Sequence, residues 1–178
     1  MKLILLLGLI VIFGCTNRTK LSSDDLKWIN VYREGDTLVF QSQMGDLDTS
    51  VIVKKEVFNI EYSSPEQTGT VIHQWGVVYY KNSKLRYHPD GFQMINIEKK
   101  EGNITSVNIN YLYTNVLIMN SADLNLNRYK HNGVYEFDIE ESGNSDDLRK
   151  IFWSKDLGLI KYISSDGTTW KRVNLPRH

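Results

Sequence analysis

The sequence predicts an all-β fold: a strongly curved antiparallel meander, barrel-like or closed as a sandwich. Three observations predict it. Short apolar-alternating runs recur from Leu26 onward, separated by Gly, Asp and Asn turn signals. Tyr and Trp are plentiful, at 10 and 4 residues, while Pro is scarce, at 3. That balance suits strands, as do the recurring Thr, Val and Ile. Finally, helical periodicity is nowhere sustained.

The elements follow in order. Glu34-Gly35-Asp36 is a turn before Thr37-Leu38-Val39-Phe40-Gln41, and Met44-Gly45-Asp46 a turn before Thr49-Ser50-Val51-Ile52-Val53. The run from Asp48 to Tyr62 is long for one strand. Val51 and Val53 share a parity that Phe58, Ile60 and Tyr62 do not, so a bulge or bend is expected near Lys54-Lys55-Glu56. A polar loop at Ser63–Gly69 leads to an aromatic-rich strand from Thr70 to Lys81. Phe92 to Lys99 and Ile104 to Tyr113 form a hairpin. Val107, Ile109, Tyr111 and Tyr113 lie on one of its faces, and Asn108 and Asn110 on the other. Ser121 to Lys130 reads as a weaker segment with a short helical turn. Val134 to Glu140 is a strand, with Tyr135, Phe137 and Ile139 on one face. Ser142 to Asp147 is a turn, and Ile151–Ser154, Leu159–Ser164 and Thr169–Val173 close the meander.

The N-terminus has a different character. Met1-Lys2 precedes an apolar run from Leu3 to Gly14, which ends at the only cysteine, Cys15. The run is about 12 residues, or roughly 18 Å as a helix. A bilayer core needs about 20 residues. The segment is therefore long enough for a secretory signal and too short for a stable span. Its last four residues, Ile12-Phe13-Gly14-Cys15, resemble the lipobox of bacterial lipoproteins, departing from it in the bulk of Phe13. The resemblance implies cleavage before Cys15, a diacylglycerol on its sulfur and a palmitate-type chain on the new amine. Two or more acyl chains give stable anchoring. Thr16, rather than Asp, follows the cysteine, which in lipoproteins of this kind implies sorting to the outer membrane. The expected organisation is 1–14 signal peptide, 15–23 lipidated N-terminus and tether, and 24–178 a single β-rich domain. The C-terminal run Leu157-Gly158-Leu159-Ile160-Lys161-Tyr162, with Asp166-Gly167 and Trp170, resembles the close of small β-rich envelope lipoproteins of unknown function.

Composition narrows the function classes. The 21 basic and 21 acidic residues cancel, and no long basic block occurs, so a nucleic-acid partner is not expected. No cofactor motif is present, and none is expected to bind. Asp46 and Asp48 flank Leu47 in calcium-like alternation, but the loop lacks an EF-hand's ligand number and its bidentate Glu. His73, His88, His131 and His178 show no paired metal spacing. No metal site is expected. There is no Gly-x-Ser-x-Gly elbow, and acylation would occupy Cys15. Glu98, Glu101, Asp138, Glu140 and Glu141 are the carboxylates that a glycan hydrolase could use.

Along Thr70–Lys81, His73, Trp75, Val77 and Tyr79 share one strand face, and Ile72, Gln74, Val78 and Tyr80 the other. One aromatic face suits a ligand groove, with His73 or Gln74 for polar selection, and His73, Trp75 and Tyr79 are its candidate residues. Cross-strand packing accounts for the same pattern more simply. The leading expectation is a non-enzymatic, lipid-anchored module at the outer membrane that binds an envelope protein or a hydrophobic, amphipathic ligand. The alternatives are an immunity or inhibitor lipoprotein that neutralises a periplasmic toxin, and a glycan-processing hydrolase.

Overall fold

The computed structural model describes residues 17–63, 70–85, 87–100, 105–112, 114–119, 130–131, 133–139 and 148–175. Cys15, the leader, the polar loops at 64–69 and 141–147, and the segment 121–129 lie outside them. In chain order the elements are β1 (Asn17–Arg18), α1 (Ser23–Asn30), β2 (Thr37–Ser42), β3 (Leu47–Ser63), β4 (Thr70–Asn82), β5 (Phe92–Lys99), β6 (Thr105–Tyr111), β7 (Thr114–Met119), β8 (Lys130–His131), β9 (Val134–Asp138), β10 (Leu148–Ser154), β11 (Gly158–Ser164) and β12 (Thr169–Arg172).

The fold is all-β apart from α1, with one sheet curled into a half-barrel. Strand order is β7-β6-β5-β4-β3-β2-β12-β11-β10-β9-β8, antiparallel throughout, and β2 joins β12 through Ser42↔Trp170 and Phe40↔Arg172. The parity change within β3 is real. Its register against β4 shifts between Ile52 and Lys54, slightly before the position expected from the sequence. Val107, Ile109, Tyr111, Tyr135 and Phe137 all enter the core, as their alternation requires. Across the open seam, the Leu148 N–H of β10 donates to the Thr114 hydroxyl of β7 at 3.1 Å.

Within the segment read as a tether, the described residues from Asn17 to Leu21 are attached to the sheet. β1 pairs in parallel with β4 through Asn17↔Val71 and Arg18↔Ile72, beyond the point where β5 stops at Gln74↔Lys99. Thr19 N–H donates to Ile72 C=O at 2.9 Å, and Leu21 is buried with its N–H on Gln74 Oε1. The chain then enters α1 through a reciprocal cap. The Asp25 N–H donates to the Ser22 hydroxyl at 3.1 Å, and the Ser22 N–H donates to the Asp25 carboxylate at 2.8 Å.

Asp25 also docks the helix. Its carboxylate accepts from the Thr105 hydroxyl at 2.7 Å and from Lys99 Nζ at 3.2 Å. Burial opposes its ionisation. The Ser22 N–H, the hydroxyls of Thr105 and Ser22, and Lys99 outweigh that and hold the carboxyl below its ordinary range. On the other side of α1, Trp28 meets Tyr135 with ring centroids 5.2 Å apart, and Tyr32 meets Trp153 at 5.8 Å. Two glycines make room for the helix. A Cβ on Gly76 would come 2.7 Å from Ile29 Cδ1, and one on Gly158 would overlap the Tyr32 hydroxyl, which accepts the Leu159 N–H at 2.7 Å.

Gly158 has φ +74 as well as no room, whereas Gly167 has φ +84 with nothing within 4 Å of its Cβ position. Gly167→Ala is expected to cost about 1–2 kcal/mol from backbone strain alone, and Gly158→Ala about 3 kcal/mol or more, as read by urea unfolding. Ionised Asp25 stabilises the fold above the ordinary carboxylate range, and that contribution is lost as pH falls through its depressed folded-state value. The urea midpoint of Asp25→Asn should therefore be lower than wild type near neutrality. It should also fall less steeply than wild type below about pH 4.

Candidate functional site

Register decides which way the β4 residues point. Val78 and Tyr80 enter the core and Gly76 faces Ile29, so the even-numbered set looks inward. His73, Trp75, Val77 and Tyr79 then occupy the outer face. β3 sets Phe58 against Trp75 and Ile60 against His73, while β5 sets Glu98 against Trp75.

The structure brings His73 and Trp75 into one cluster and leaves Tyr79 out of it. His73 Nδ1 lies 2.7 Å from Glu98 Oε1, with the two side chains 15% and 11% exposed, and Lys100 Nζ is 3.6 Å from Glu98 Oε2. The Tyr62 ring packs 4.8 Å from the His73 ring. Burial, followed by the Glu98 charge, pushes the Tyr62 hydroxyl above its ordinary pKa. Tyr79 lies six residues from His73, about 20 Å along an extended strand, with Lys54 Nζ 5.6 Å from its ring centre. The three candidate residues therefore line a stripe rather than one pocket. Gln74, the alternative polar selector, faces inward and holds Leu21.

This cluster does not form a nucleophilic relay. A relay places the histidine between carboxylate and hydroxyl. Here Ser106 faces Glu98 from β6, so the carboxylate stands between Ser106 and His73. A second carboxylate group, Glu136 and Asp138, shares Lys150 Nζ at 2.5 Å and 3.0 Å. With side chains 45% and 76% exposed, these two are open to solvent. Glu101, Glu140 and Glu141 lie outside the described residues.

Of the histidines, His88 sits in the turn expected of it, with its C=O accepting the Gly91 N–H at 3.1 Å. His131 belongs to the two-residue strand β8, and His178 lies outside the described residues. Asp46 and Asp48 face different surroundings. Asp46 is exposed in a turn, 3.3 Å from the Ser42 hydroxyl, whereas the Asp48 side chain is 0% exposed. Among the described residues, no group of three His, Cys, Asp or Glu side chains could hold a metal ion.

Asp48 centres a polar network on the inner side of the curled sheet that sequence reasoning missed. It accepts from the Tyr162 hydroxyl at 2.5 Å and from Asn82 Nδ2 at 2.8 Å, with the Tyr111 hydroxyl at 3.4 Å. Asn82 also donates to Ser50 Oγ at 2.9 Å, and Ser50 Oγ lies 3.0 Å from the Tyr111 hydroxyl. Lys84 Nζ approaches to 4.0 Å from outside, over the Trp170 ring. Burial above all, and the neighbouring Asp48, push the Tyr162 and Tyr111 hydroxyls far up, so both remain neutral donors. The rings around the network touch one another: Phe40–Tyr162 at 5.2 Å, Tyr80–Tyr111 at 5.2 Å and Tyr162–Trp170 at 5.7 Å. This end of the interior is packed, as is the end that holds α1. On the outer face, a shallow groove of about 500 Å³ is lined by Gln41, Gln43, Lys161, Thr169, Lys171 and Val173.

Comparison with protein-family models, curated proteins and solved structures finds no significant match to the chain.

Asp48→Ala would strand the Tyr162 hydroxyl and the Asn82 amide in the core, and should cost about 3 kcal/mol in urea unfolding. Tyr79→Ala, on the outer stripe, should stay within about 1 kcal/mol of wild type.

Proposed function

We propose that this chain is a lipid-anchored lipoprotein of the bacterial outer membrane, whose β-domain is a non-enzymatic module binding an envelope protein through its outer surface. What supports a protein over a hydrophobic ligand is the packing of the interior among the described residues. Trp28 and Ile29 of α1, with Tyr32 just after the helix, occupy one end, and the ring cluster around Asp48 the other. A carrier of lipid or another hydrophobe needs an apolar cavity that buries most of its cargo. The outer face offers what a protein contact uses instead, namely half-buried aromatic residues and unobstructed polar ones.

The anchor rests on the lipobox-like Ile12-Phe13-Gly14-Cys15. Among the described residues, no helix is long and apolar enough to cross a membrane. Because β1 begins at Asn17, an acyl group on Cys15 would sit within about 7 Å of chain from the sheet. The domain would then be mounted on the bilayer by its β1–β4 side rather than held on a leash.

Two measurements test the reading separately. Labelled palmitate is expected to enter the wild-type polypeptide and not Cys15→Ala; equal labelling of both removes the anchor. Photo-crosslinkers at Trp75 and Lys171 are expected to trap a discrete envelope protein in intact cells. Saturable uptake of a fluorescent fatty acid, displaced by unlabelled lipid, would replace the protein-binding reading with a carrier.

A further inference from the structure

The two edges of β3 differ past Val53. The β4 edge stays paired as far as Ser63↔Thr70, whereas pairing with β2 begins only at Thr37↔Val51 and covers the first part of the strand. Beside that boundary, the Gly35 N–H donates to Ile52 C=O and the Ile52 N–H to Asp36 C=O. The Lys55 N–H then donates to the Glu34 carboxylate at 3.0 Å. Past Lys55, nothing among the described residues pairs this edge. Backbone groups alternate along a strand, so the direction of the Lys55 N–H sets that of Val57, Asn59 and Glu61, all of which point away from β4. Edges are commonly protected by Pro, by a bulge, by shortness or by charged side chains, and here only charges are present. From Lys55 to Ser63 there is no Pro and no register shift, and Val57 and Tyr62 are 47% and 41% exposed.

We infer that a second copy of this chain adds to the edge as an antiparallel strand, about a two-fold axis at Phe58. The charges select both occupant and register. Lys54 is neutralised by Glu56 at 2.6 Å, which leaves Lys55 towards one end of the edge and Glu61 towards the other, neither in an ion pair among the described residues. Antiparallel self-pairing brings the basic end of one copy to the acidic end of the other. With the axis at Phe58, Lys55 stands opposite the partner's Glu61, Val57 opposite the partner's Asn59, and Phe58 opposite the partner's Phe58. Moving the axis to Val57 sets Glu56 against the partner's Phe58. Moving it to Asn59 sets Val57 against the partner's Glu61. Only the Phe58 register matches both charges, and it makes each ion pair twice, as an isologous contact must. Val57 and Asn59 carry the central ladder, so Glu34 keeps its bond to Lys55. The two Phe58 rings form a pair not bridged by hydrogen bonds, in which side chains approach most closely. They also continue the outer stripe of Phe58, Trp75 and His73 from one copy into the next.

The full chain carrying Cys15→Ser offers a thiol-free background for crosslinking. Adding Phe58→Cys is expected to give a disulfide-linked dimer under mild oxidation, because a residue on the axis meets itself. Adding Ile60→Cys, which faces the partner's Glu56, is expected to give none. In sedimentation equilibrium of the full wild-type chain in detergent, Lys55→Glu and Glu61→Lys should each weaken the dimer about tenfold, and the double exchange should restore it. A monomer at all concentrations, crosslinking at Ile60→Cys equal to that at Phe58→Cys, or a double exchange no tighter than the single ones would overturn the inference.

Discussion

The curvature of this sheet depends on what it wraps. α1 has only two turns, too short to be stable alone, and its helicity is secured by packing and by its cap. It reaches both halves of the sheet at once. Asp25 binds Lys99 and Thr105 on the β5–β6 side, while Trp28, joined by Tyr32 just after the helix, packs against Tyr135 and Trp153 on the β9–β10 side. An open sheet this wide would otherwise flatten or split. Here the two halves converge because they share one apolar body, and Gly76 and Gly158 bring the backbone close enough to touch it.

The interior therefore contains two kinds of order. On the Trp28 side of α1 it is apolar, with Ile29, Tyr32 and Trp153 at zero exposure. Around Asp48 it is polar but closed, with most of the carboxylate's hydrogen-bonding capacity met by Tyr162, Asn82 and Tyr111. A half-satisfied carboxylate there would be costly, whereas a satisfied one fixes which strands meet. Its partners come from β4, β6 and β11, so the network also records the correct closure of the sheet.

The strands were legible in the sequence because each carries its own signal. Alternating Val107, Ile109 and Tyr111 identify the inward face of β6, and Met44-Gly45-Asp46 marks a turn whose glycine adopts φ +93. The change of parity before Phe58 exposed the irregularity in β3 within a residue or two. The helix was not legible from periodicity, since Ser23–Asn30 is too short to establish one. Its signature was local: Ser22 followed three residues later by Asp25, a capping box ahead of Leu26. The site was legible only in part. Alternation put His73 and Trp75 on one face, but the Glu98 that engages His73 is 25 residues away. Nothing local predicts that register, just as nothing near Asp48 announces Tyr162, at a separation of 114.

The β2–β12 junction has a consequence in time as well as in space. Ser42 pairs with Trp170, and Tyr32 with Leu159 at a separation of 127 residues, so early and late segments must meet before the sheet is whole. Contacts of such range are slow to form, because the entropy of closing the intervening loop is lost before they contribute. A nascent chain of this kind cannot complete its structure while its last strand is still being delivered. It remains extended and threadable until then.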